Sequence, residues 1–98
     1  MNTTAGQLYR IDRALAGVDT ATTRDFYKAV EVFGWPSAAA SGCLLAVVRE
    51  AHSDDSIHAI AGTHEGELVW DVWDCNRDIA PMCPTEVAAL VAALEAAP

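Results

Sequence analysis

The sequence predicts an α+β domain of three N-terminal helices, an antiparallel β-hairpin and a C-terminal helix. Three observations predict it. Apolar residues recur at helical spacing through about residue 52, the period changes to two between Ile57 and Asp74, and a helical stripe returns after Thr85. With 98 residues, 52% apolar and 20% charged, the chain has the composition of one folded domain, residues 1–98, with one core.

The first helix is expected over residues 5–16, where Leu8, Ile11 and Leu15, with Val18 beyond, fall on one face. Thr3 or Thr4 caps it and Gly17 stops it. A second helix starts between Asp19 and Thr22, with Thr22 three residues before Asp25 in a near capping box. Its stripe is Phe26, Ala29, Val30 and Phe33, and Gly34 and Pro36 end it. Residues 37–52 fit either a buried strand or a helix. The spacing of Leu44, Val47, Val48 and Ala51, after an alanine-rich entry, favours helix.

Ser53-Asp54-Asp55-Ser56 reads as a turn before the hairpin. Residues 76–84, which contain Pro81 and Pro84, read as loop. Thr85 then caps a last helix whose stripe is Val87, Leu90, Val91 and Leu94.

A four-residue hairpin loop, Thr63-His64-Glu65-Gly66, sets Ile60 opposite Val69, Ala59 opposite Trp70 and His58 opposite Asp71. One face is then wholly apolar, and the other holds an imidazole within reach of a carboxylate. Such a carboxylate fixes the tautomer of a histidine that accepts a proton from a nucleophile. Cys43 is the candidate nucleophile. If its helix begins at Ser41, the exposed amides and helix dipole favour thiolate.

Cys43 opening a helix, His58 opening a strand and Asp71 on the next strand resemble the pattern of the papain-like superfamily of cysteine hydrolases and transferases, over the middle third of the chain. The run His58-Ala59-Ile60-Ala61-Gly62 through Leu68-Val69-Trp70-Asp71 carries the resemblance. It implies a catalytic triad in which Cys43 attacks a carbonyl, His58 moves the proton and Asp71 orients the ring. The plainer reading of His58 and Asp71 is a polar cross-strand pair on a solvated face, and that of Cys43 is a small core residue.

The reading that composition favours is a small acidic interaction or regulatory domain. Trp70 and Trp73 lie on opposite faces of one strand, so one is free to mark a contact surface. Glu65, Glu67, Asp71, Asp74 and Asp78 gather negative charge around it. The expected partner is a protein, a basic one or a second copy. A net charge of −8 disfavours nucleic acid and anionic membranes.

The start of the chain has no apolar signal core and no run is long enough to span a bilayer, so a cytoplasmic location is expected. Three cysteines, Cys43, Cys75 and Cys83, suit a reducing compartment. With His52, His58 and His64 they match no structural zinc spacing, and neither a metal nor a cofactor is expected. One lysine, Lys28, beside abundant arginine and alanine is the bias of GC-rich genomes such as those of actinobacteria and their phages.

Overall fold

Each of the four helices in the computed structural model begins on a hydroxyl side chain; the structure describes residues 3–98, apart from the side chain of Pro81. Helix α1 (Thr4–Ala14) is capped by Thr3, whose Oγ1 accepts the Gly6 N–H at 3.0 Å. Helix α2 (Ala21–Phe33) starts on a reciprocal box in which Thr20 and Thr23 each accept the other's backbone N–H, at 3.2 and 2.9 Å. The box therefore uses Thr20 and Thr23, not Thr22 and Asp25; a threonine at the third helical position closes it as a glutamate would.

Helix α3 (Ala38–His52) is capped by Ser37, so residues 37–52 do resolve as helix. It ends on Ser53 in the left-handed region at φ 52°, whose N–H bonds the Glu50 carbonyl at 3.1 Å. Helix α4 (Glu86–Glu95) is capped by Thr85, as expected.

Three strands, not two, form the sheet, in the order β1 (His58–His64), β2 (Glu67–Trp73), β3 (Asp78–Cys83). Strand β3 occupies the expected loop. Its proline is tolerated because β3 is an edge, and two register irregularities against β2 absorb the distortion.

Helix α4 lies at the centre of the molecule. The sheet, α1 and α3 all pack against it, and α2 packs against α3. That position explains why α4 is apolar almost all round, with Ala88, Ala89, Leu90, Val91, Ala93 and Leu94 all buried. Ile11, Phe26, Leu44, Val47, Val48, Ile57 and Val72 complete the core around it. The stripes read from the sequence are only partly buried: Ile11, Leu15, Phe26 and Ala29 go in, whereas Val18 and Phe33 stay exposed.

Candidate functional site: the β1–β2 hairpin

The hairpin turn is two residues long, not four. Glu65 at φ 52° and Gly66 at φ 83° are the two left-handed positions of a type I′ turn, which matches the twist of the strands it joins. His64 therefore pairs with Glu67, and the whole ladder shifts by two: Gly62 faces Val69, Ile60 faces Asp71, Ala59 faces Val72 and His58 faces Trp73. Because the shift is even, every side chain keeps the face the sequence implied, and only the partners change.

That shift separates His58 from Asp71. The His58 ring, exposed at the start of β1, bonds through Nδ1 to the Ser56 carbonyl at 2.9 Å. The Asp71 carboxylate instead accepts the Met82 N–H at 2.5 Å, fixing β3 where Met82 adopts φ 50°. Cys43 is the sixth residue of α3, because the helix starts at Ala38 and not at Ser41. It is half-buried against the core, beyond the exposed first-turn amides that would favour a thiolate.

The side chain of α3 that reaches the start of β1 is Arg49, whose Nε donates to the Ile57 carbonyl at 2.8 Å. Cys43 lies about 9 Å back along the axis from Arg49, at about 1.5 Å per residue. Among the described residues no hydrogen bond joins any two of Cys43, His58 and Asp71. A cleft of about 360 Å³ is lined by Leu15, Val18, Thr20, Val47, Glu50 and Leu94 among others, and contains none of the three.

The proposed contact residues divide by role. Trp70 is half-buried on the inner face and packs against the core. Trp73, also half-buried, lies on the opposite face with Val69 and Ile60, on the side of the sheet away from α4. Asp74 organises the turn after β2, where its Oδ1 accepts the N–H groups of Asn76 at 2.7 Å and Arg77 at 2.8 Å, and these two bonds hold its carboxyl below the usual range. Glu65 and Glu67 are exposed at the tip.

Burial pushes the Asp78 carboxyl up, with the charge of Asp71 adding to it. Burial also raises the Cys83 thiol, and Asp71 and Asp78 raise it further. Beyond Ala59 on β1 and Val69 on β2 the hairpin is exposed on both faces to its tip, leaving Ile60 44% and Leu68 60% accessible.

The turn length also decides which backbone groups are spare. Residues flanking a two-residue turn exchange both hydrogen bonds, and such pairs recur at every second position. His58, Ile60, Gly62 and His64 thus spend their N–H and C=O groups on β2, whereas those of Ala59, Ala61 and Thr63 point away from it. Sequence reading missed these three residues. The signal was present in Glu65-Gly66, a Gly-containing dipeptide between two alternating runs, which is enough to propose the shorter turn.

Among the described residues no group of histidine, cysteine and carboxylate side chains could hold a metal ion, and no helix is long and apolar enough to cross a membrane. Compared with protein-family models, curated proteins and solved structures, the chain matches none.

Proposed function

We propose that the chain is a small, acidic, intracellular protein-interaction domain of regulatory role, in keeping with its actinobacterial or phage-like composition, that presents the β1–β2 hairpin to another polypeptide. The supporting observation is the exposure of the hairpin on both faces, with Ile60 and Leu68 open on opposite sides of it. A monomer gains little from extending an apolar ribbon beyond its core, since a hairpin without packing on either face is marginal in water. Burial against a partner removes that cost. The aromatic and aliphatic centre of Trp73, Val69 and Ile60, rimmed by carboxylates, has the composition of an interface core with a polar rim.

Panning a phage-displayed random peptide library on the immobilised chain tests this reading. Enriched clones should lose binding to the double variant Ile60→Ser, Leu68→Ser and keep it for a variant at the exposed Ala39 of α3. Clones that bind all three chains equally, or no enrichment, would contradict it.

A further inference from the structure

We propose that the hairpin takes its partner by strand addition: an extended basic segment pairs with the open edge of β1 and extends the sheet to four strands. The inference rests on the interaction reading above and names its mode and partner chemistry.

The two edges of the sheet are built differently. Natural sheets guard their edges with prolines, bulges, lysines or inward charges. Strand β3 has such protection, with Pro81 within it, two register irregularities and Asp78 at its start. Strand β1 has none. It is seven residues long, in unbroken register with β2, and contains no proline, lysine, arginine, aspartate or glutamate. It is exposed along nearly its whole length, and the outward N–H and C=O groups of Ala59, Ala61 and Thr63 form a template for one more strand.

Charge selects the occupant. Between Ile57 and Cys83 the chain has five carboxylates, Glu65, Glu67, Asp71, Asp74 and Asp78, against one cation, Arg77. A second copy would bring the same surplus to the interface, with −8 on each molecule. A strand alternating basic with apolar residues matches instead. Its basic side chains, on the outer face, can cross Gly62, which has no side chain and open space where one would stand, toward Glu67 and Asp71 on β2.

The test uses three synthetic seven-residue peptides with blocked ends, mixed with the full chain. One alternates arginine and valine. A second has the same sequence with alternate backbone nitrogens methylated, which keeps charge and composition but removes the donors a ladder needs. A third replaces arginine by glutamate. Affinity is read by fluorescence anisotropy, and amide hydrogen exchange of the protein is read with and without peptide.

The unmethylated basic peptide should bind at least tenfold more tightly than either control, and should slow exchange at Ala59, Ala61 and Thr63. Ala61→Pro, which removes one outward donor and leaves the β2 ladder intact, should weaken binding at least tenfold. Exchange on the unmodified chain gives the same answer if that variant does not fold. Equal binding of the methylated peptide, or unchanged exchange at the three amides, would overturn strand addition. So would protection that grows with protein concentration without peptide, which would make a second copy the occupant. Hairpin-dependent clones from the phage library, obtained alongside any of these failures, would leave the interaction reading standing and remove only this mode.

Discussion

Arg10 of α1 grips Glu95 at the end of α4, with Nε donating to Oε2 at 3.0 Å and Nη2 to Oε1, so that the first and last helices are joined by two parallel bonds. The hydrogen bond from Arg10 holds the Glu95 carboxyl below its usual value. The side chains keep 27% and 39% of their accessibility, so solvent screens the pair and Glu95→Gln should cost only about 0.5 to 1 kcal/mol at neutral pH. A carboxyl depressed by folding stabilises the folded state above its unfolded pKa, and loses that contribution as pH falls through the folded value. The difference between wild type and Glu95→Gln should therefore be present at pH 7, shrink below the ordinary glutamate value of 4.5, and be lost as pH falls through the lowered value of the folded state. Urea unfolding of both chains across that range checks it.

The central position of α4 makes its core side chains the least replaceable. Leu90, 1% exposed between the sheet and the other helices, should cost about 2 to 5 kcal/mol when cut to alanine, by lost burial and the cavity left behind. Leu68→Ala at the hairpin tip should change stability by no more than about 0.5 kcal/mol. Equal urea midpoints for the two variants would show that the hairpin belongs to the core and does not project from it.

The type I′ turn leaves Glu65 in a conformation that asparagine adopts more readily. Glu65→Asn should stabilise the fold by about 0.5 to 1 kcal/mol, and Gly66→Val should destabilise it by about 1 kcal/mol or more, since a β-branched residue resists a positive φ. Chemical unfolding of each variant measures this directly.

What was legible in the sequence follows the strength of local signals. Thr85 before a clean apolar stripe placed the last helix to within a residue because cap and stripe agree, whereas residues 37–52 were legible as helix only from their alanine-rich entry and apolar spacing, without a cap to fix the start. Strand β3 was hidden because Pro81 argues against a strand everywhere except at an edge, and edge position is a property of the assembled sheet. The hairpin faces were legible from the period of two, but the partners were not, because loops of two and four residues give the same faces. The Cys43, His58 and Asp71 constellation depended on that undetermined register and on a helix start three residues too late. Asp71 took a role no local pattern announces, holding the irregular edge through the Met82 amide.

The three thiols should differ in reactivity. Cys75, exposed in the turn that Asp74 organises, should be alkylated first by iodoacetamide at pH 8. Cys83, half-buried with its thiol raised by burial and by Asp71 and Asp78, should react with a midpoint above 9.0. Asp71→Asn removes one of those charges, so the Cys83 midpoint should fall in that variant. Mass spectrometry of the labelled peptides against pH reads all three. A Cys83 that reacts as early as Cys75 would contradict the placement of β3 beside Asp71.

Amide hydrogen exchange on the dilute, unliganded chain tests the open β1 edge most directly. Slow exchange at Ile60, Gly62 and His64, alternating with fast exchange at Ala59, Ala61 and Thr63, is the expected result. The opposite alternation would mean a different turn and register, and uniform protection along β1 would mean that the edge is already covered; either would contradict the account.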